Sequence, residues 1–169
     1  MKKRRDLRLF FKWLEYAQII PNDRLYVDYE VVDEYLDQIY NNTKVSFDFD
    51  GTLSRPSVQK YAKELLELGF DVWVVTARYD EENKHKYPQN ATNQDLYDVI
   101  KDIGLPLEKV VFMNMEMKSE YFKKHPDFVW HLDDDFTELR FISRETPVKA
   151  ISVVGNSNWK HKCNRLLKL

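Results

Sequence analysis

Between Val45 and Leu53 an apolar run gives way to a glycine turn and carries two carboxylates two residues apart: Val45-Ser46-Phe47-Asp48-Phe49-Asp50-Gly51-Thr52-Leu53. A short apolar run of this kind reads as a buried strand. Residues i and i+2 of a strand point the same way, and Gly51 lets the backbone turn sharply beyond them. On that reading Asp48 and Asp50 share one small pocket. Two acids that close repel each other unless a cation or a proton intervenes, so the pair calls for a hard divalent ion with oxygen ligands, as Mg2+ requires. An Asp can attack phosphorus and carry the phosphoryl group as an acyl phosphate, while a second acid protonates the leaving oxygen and later activates water. A calcium loop also begins with alternating acids, but it needs a third at position five and glycine at six. Here Gly51 follows the second acid directly, which excludes it.

The remaining sequence fits one domain of ordinary size, at 169 residues. Its 26 basic and 28 acidic side chains leave a formal net charge of -2, so charge over the whole chain does not favour nucleic acid. Any such partner has to be met by a local patch. Cys163 is the one cysteine, so no internal disulfide is possible. No apolar run of about 18 residues and no signal-peptide pattern occurs, so the expectation is a soluble, cytoplasmic protein without a membrane partner. No obligate protein partner is evident.

Leu7, Phe10, Phe11 and Leu14 recur at helical spacing behind a basic start, and Val31, Val32, Tyr35, Leu36 and Ile39 mark a second helix. Residues 1–43 are therefore expected to be a helical extension packed on a core spanning 44–169. The basic face of its first helix, with Arg5, Arg8 and Lys12, reads as a solvated face or as a contact for an acidic partner. From Lys44 onward strands alternate with helices. The expected strands run from Lys44 to Phe49, Phe70 to Thr76, Lys109 to Met113, Asp127 to Leu132 and Val148 to Val154, before a basic tail. Helices are expected around Val58–Leu66, Leu96–Ile103 and Tyr121–Phe122, the first two closed by Gly69 and Gly104. Strands separated in this way imply right-handed crossovers and a parallel sheet covered on both faces, an α/β fold.

Ligands of such sheets sit at the carboxyl ends of the strands. There the sequence places Asp48 and Asp50, then Thr76 with Arg78, then Lys118, then Asp133, Asp134 and Asp135. A hydroxyl, an ammonium and two groups of carboxylates are what a phosphate and its metal require. Taken singly, Thr76 could end a buried strand, Lys118 could be solvated, and the acidic triplet could cap a helix beginning near Phe136. Lys109, Lys123 and Lys124 are rivals of Lys118.

Taken together, these segments resemble the haloacid dehalogenase superfamily over roughly residues 44 to 155. Asp48-Phe49-Asp50-Gly51-Thr52 is similar to its first motif, and Val72-Trp73-Val74-Val75-Thr76 to its second. Lys118 is similar to its third, and Leu132-Asp133-Asp134 to its fourth. The resemblance implies a three-layer sandwich around a mainly parallel, Rossmann-like sheet. It implies Asp48 as nucleophile, Asp50 as general acid and base, and Thr76 and Lys118 on the phosphate. Mg2+ would be held by Asp48, the carbonyl of Asp50 and an acid of the last motif, with Asp134 favoured and Asp133 behind it. Thr52 and Arg78 are the candidate substrate-binding residues. The resemblance further implies phosphate rather than halide chemistry, since dehalogenating members lack an acid at the position of Asp50.

Many members of that superfamily insert a cap domain between motifs; neither gap here has room for a large one, so the resemblance implies an open site and a bulky substrate. Thr76-Ala77-Arg78, Lys118-Ser119-Glu120-Tyr121-Phe122-Lys123-Lys124-His125 and Leu132-Asp133-Asp134 are together similar to the phosphatase domains of phage polynucleotide kinase-phosphatases. No kinase P-loop accompanies them. This likeness implies 3′-phosphorylated DNA or RNA ends as substrate. A 5′(3′)-nucleotidase, a phosphoprotein phosphatase and a non-catalytic binding protein of the same fold are the alternatives. Lys84, His85, Lys86 and Tyr87 could hold a phosphate backbone or belong to a solvated loop, and Lys160, His161, Lys162, Arg165 and Lys168 form a second basic cluster.

Overall fold

The computed structural model describes residues 43–86, 92–155 and 157–169. The expected extension, apart from Thr43, lies outside the described residues, as does Tyr87. Among the described residues five strands and five α-helices alternate: β1 (Lys44–Phe47), α1 (Pro56–Leu68), β2 (Asp71–Thr76), α2 (Gln94–Ile103), β3 (Val110–Phe112), α3 (Lys118–Lys124), β4 (Phe128–Asp133), α4 (Phe136–Glu145), β5 (Lys149–Ser152) and α5 (Trp159–Leu167).

The strands form one sheet in the order β3-β2-β1-β4-β5, with every neighbouring pair parallel. The chain thus builds outward from β1 through β2 to β3, then returns to the other side of β1 for β4 and β5. The order reverses between β1 and β4, and ligands of open α/β sheets bind in the crevice at such a reversal. Asp48 follows β1 and Asp133 ends β4, so both acids stand at that point.

Local sequence explains the helices. Val58, Tyr61, Ala62 and Leu65 fall on one face of α1 and are buried, Pro56 occupies its first turn, and Gly69 closes it at φ 90°. That left-handed angle is one that glycine adopts without strain. α1, α2 and α5 cover one face of the sheet, where Phe47, Tyr61, Leu65, Leu96, Trp130 and Cys163 share a core. Phe47 meets Trp130 edge to face, with ring centroids 5.2 Å apart. Burying a side chain of this size contributes about 1.5–3 kcal/mol. α3 and α4 cover the opposite face through Phe122 and Ile142, packed with Val75 and Phe128. The fold is therefore the three-layer α/β arrangement that the alternation implied. Between β1 and β2, and between β2 and β3, the described residues hold one α-helix each and no inserted domain.

One expectation needs correction. β1 stops at Phe47 rather than Phe49, and Phe49–Leu53 winds into a single wide turn in which Leu53 N–H donates to the Asp48 carbonyl (3.0 Å) and Ser54 N–H to that of Phe49 (2.9 Å). Asp48 stays extended and its N–H still donates to Leu132 O (2.8 Å), whereas Asp50 lies beyond the strand. The same-side rule for a strand therefore does not apply to Asp48 and Asp50. The other strand ends move by one or two residues, and the expected basic tail is helix α5.

Candidate active site

Alternation along β1 and β4 builds the floor of the site. Val45 and Phe47 of β1, and Trp130 and Leu132 of β4, face the larger core. The residues between them, Ser46 with Asp48 and His131 with Asp133, point to the opposite face and are all buried. Register sets Ser46 beside His131 across the two parallel strands. A polar column thus runs up an otherwise apolar face and ends at the carboxyl edge of the sheet.

Lys118, the first residue of α3, enters this column from the side and is 2% exposed. Its Nζ donates to Asp48 Oδ1 at 2.6 Å and to Asp133 Oδ2 at 2.7 Å. Its own backbone N–H donates to Glu138 Oε2 of α4 at 3.1 Å, so a buried glutamate docks the start of α3. Asp133 also faces His131 Nε2 at 2.9 Å through Oδ2, and its Oδ1 accepts from Asp135 N–H at 2.9 Å. His131 Nδ1 lies 3.0 Å from Ser46 Oγ.

Two carboxylates sharing one ammonium leave a surplus negative charge in a desolvated place. Burial, reinforced by the charge of Asp133 and opposed by Lys118, pushes the Asp48 carboxyl up to about 7. Burial also works to raise Asp133, but His131 and Lys118 outweigh it and hold that acid below the ordinary carboxylate range. Lys118 is held above its usual value, because the two acids overcome the desolvation of its ammonium. Burial pushes His131 down, which favours its neutral ring. Asp134 is raised by burial and then by the charge of Asp133.

One carboxylate oxygen from each of Asp48, Asp133 and Asp134 lies within 4.8 Å of the other two. Hard oxygen donors from Asp48 and Asp134, with the charge of Asp133 beside them, fit a divalent cation such as Mg2+. Gly51 belongs to the same fit: a Cβ built there would collide with Asp134 Oδ2, so the turn leaves room for that carboxylate and little else. Asp135 stands apart from the cluster and caps α4, accepting from the N–H groups of Thr137 and Glu138.

The remaining candidates lie around this centre. Thr76 is fully buried at the end of β2, and its Oγ1 accepts from Arg78 N–H at 3.3 Å. Thr52 is buried in the wide turn, where its Oγ1 has no hydrogen-bond partner. The Asp50 carboxylate turns outward, its side chain 61% exposed, and accepts from Arg78 Nε and Nη2 at 2.8 and 2.7 Å. Arg78 donates equally to Asp95 of α2, at 2.6 and 2.8 Å, with its guanidinium 4.6 Å from the centre of the Phe49 ring. Of the four lysines considered, Lys118 alone joins the carboxylates. Lys109 pairs with Asp71 at the start of β2, Lys123 with Glu120 and Glu145 on the surface, and Lys124 is exposed.

The basic segments sit less favourably. Lys84 pairs with Glu81, Lys86 donates to Asn83, and His85 Nδ1 faces the carbonyl of Glu82, so these groups are engaged within their own loop. In the C-terminal cluster Lys160 pairs with Glu64, whereas His161, Lys162, Arg165 and Lys168 are exposed.

Sequence reasoning missed Ser46, His131, Glu138 and Asp95. For the first two a signal exists, since each stands two residues before a candidate acid in an apolar strand. Glu138 and Asp95 carry no such signal, because their partners come from other elements.

Among the described residues no helix is long and apolar enough to cross a membrane. No family model matches the chain, and no curated protein matches it. Among solved structures, a Vibrio cholerae protein assigned as a 3-deoxy-D-manno-octulosonate 8-phosphate phosphatase is similar at 12% identity and a TM-score of 0.43, covering 79% of this chain and 88% of its own. An overlap that loose bears on neither activity nor substrate.

Proposed function

We propose that the protein is a Mg2+-dependent phosphomonoesterase of the haloacid dehalogenase type, working through a phosphoryl group carried on Asp48. The observation that carries this reading is the buried Asp48–Lys118–Asp133 cluster, with Asp134 beside it, at the reversal point of the sheet. Asp48 attacks phosphorus to give an acyl phosphate, and the leaving oxygen takes a proton from Asp50. Asp50 then takes a proton from water as that water attacks the acyl phosphate, releasing inorganic phosphate and restoring Asp48. Lys118 offsets negative charge on the nucleophile and the phosphate, and Thr76 donates its hydroxyl to a phosphoryl oxygen. Asp48, Asp134 and the carbonyl of Asp50 would hold Mg2+, which when bound supplies positive charge where the transferring group becomes most negative. Asp133, already accepting from Lys118, His131 and Asp135, serves as the anchor of Lys118 rather than as a ligand.

Asp50 has to leave Arg78 to reach the leaving oxygen. A substrate phosphate competes for the same guanidinium and releases it. We place the phosphate on a 3′ end of DNA or RNA, on two supports. One is the likeness of the Thr76–Arg78, Lys118–His125 and Leu132–Asp134 segments to phage 3′-phosphatase domains. The other is the absence of an inserted cap between the described strands. The test is phosphate release from 3′-phosphorylated oligonucleotides, a nucleotide panel and phosphopeptides, with and without Mg2+, by the parent and by Asp48→Asn. Activity that survives Asp48→Asn overturns the mechanism. Preference for free nucleotides or phosphopeptides overturns the substrate alone.

A further inference from the structure

The Ser46–His131 pair has no part in the chemistry above, yet it occupies the middle of a buried sheet face. Apolar residues fill the comparable positions around it, with Val75, Phe122, Phe128 and Ile142 packed on that face. Both side chains are fully buried, and the ring of Phe122 lies 5.0 Å from the imidazole. Burying polar groups costs free energy unless hydrogen bonds recover it, and an apolar pair would fill this space more cheaply. Local rules broken in this way tend to mark function.

Geometry fixes the direction of each hydrogen bond. The Asp133 carboxylate is an acceptor, so His131 Nε2, 2.9 Å away, carries the proton. Nδ1 of the neutral ring then accepts, and its donor is the Ser46 hydroxyl at 3.0 Å. The other acceptor open to that hydroxyl, the Trp130 carbonyl, is more distant at 3.5 Å. The chain of donation runs from Ser46 to His131 to Asp133, where it meets Lys118.

We propose that His131, fixed by Ser46, is a positioning residue: its Nε2–H holds the Asp133 carboxylate so that the Lys118 ammonium stays shared between Asp133 and Asp48. The inference rests on the phosphatase reading above. Asp133 Oδ2 divides its acceptor capacity between His131 and Lys118. Without the imidazole donor, a fully buried Asp133 draws Lys118 toward itself, and Asp48 and the phosphate lose the charge that should stabilise the transition state. His131 touches neither reacting atom, so binding of substrate should change little and turnover should fall.

The experiment compares parent, His131→Phe, His131→Gln and Ser46→Ala in Mg2+-dependent phosphate release, alongside long-range proton–nitrogen NMR of the His131 ring in the parent. His131→Phe should lose about 10–100-fold in kcat with KM within about threefold, the scale on which partners behind an active-site carboxylate act. His131→Gln, which keeps an N–H donor, should recover most of that loss, and Ser46→Ala should fall between them. The ring should show the proton on Nε2. A His131→Phe variant with parental kcat, a His131→Gln variant no better than it, or a ring protonated on Nδ1 overturns the proposal. Should His131→Phe fail to fold, His131→Gln, Ser46→Ala and the ring spectrum still decide. A parent with no Mg2+-dependent turnover overturns the phosphatase reading instead, and the ring spectrum then judges the hydrogen-bond chain alone.

Discussion

Lys118 is surrounded by acid: its ammonium lies 2.6 Å from Asp48 and 2.7 Å from Asp133, almost without solvent. Removing one partner of a buried ion pair leaves an uncompensated charge and costs about 3–5 kcal/mol. Lys118→Met should therefore destabilise the protein by that order in denaturant melts at pH 8, and its turnover should be abolished. Asp48 has the opposite sign. Its carboxyl is raised from 3.8 to about 7, so the folded state binds its proton more tightly than the unfolded state does. Stability of the metal-free protein should fall as pH rises through that window and stay reduced above it. Asp48→Asn, which cannot ionise, should melt higher than the metal-free parent at pH 8, by about 2–4 °C for each kcal/mol recovered, with no such gain below pH 4. Mg2+ should narrow the gap by stabilising the parent. An Asp48→Asn variant less stable than the parent at pH 8 contradicts the charge balance described for the cluster.

The turn after β1 and the turn before α4 each present acids, and they do so for different reasons. Gly51 sits at φ 68° with Asp134 Oδ2 in the space a Cβ would take. Gly51→Ala should cost about 1–2 kcal/mol for the left-handed backbone alone, and should weaken Mg2+ binding in calorimetric titration by displacing Asp134. Asp135 is a helix cap, so Asp135→Ala should lower stability by about 1 kcal/mol while Mg2+ affinity remains parental. At this scale much was legible. The spacing of Val58, Tyr61, Ala62 and Leu65 identified α1, and Gly69 marked its end, because amphipathic periodicity and left-handed caps are local properties of the chain. The end of β1 was not legible. Phe49 is as apolar as a strand residue, and only the wide turn from Asp48 to Ser54 takes Asp50 off the strand and toward Arg78. The pairing of Ser46 with His131 was hidden for another reason: it depends on the register of strands 85 residues apart.

At the scale of the molecule, strand order makes the site. The sequence implied a parallel sheet but could not tell which strands would be neighbours. The order β3-β2-β1-β4-β5 sets β4 directly against β1, bringing Asp133 and Asp134 to Asp48. Among the described residues the crossovers carry no inserted domain, and Arg78 bridges Asp50 and Asp95 beside the crevice. Asp95→Ala removes one of the two holds on Arg78. It should lower KM for a phosphorylated substrate by about twofold or more in steady-state kinetics, since phosphate then competes with one carboxylate rather than two. The most direct measurement is mass spectrometry of the protein acid-quenched during Mg2+-dependent turnover of a phosphomonoester. A phosphoryl group on the peptide carrying Asp48, absent from Asp48→Asn, is the expected result. Turnover with Asp48 unmodified, and equally fast in Asp48→Asn, would contradict it.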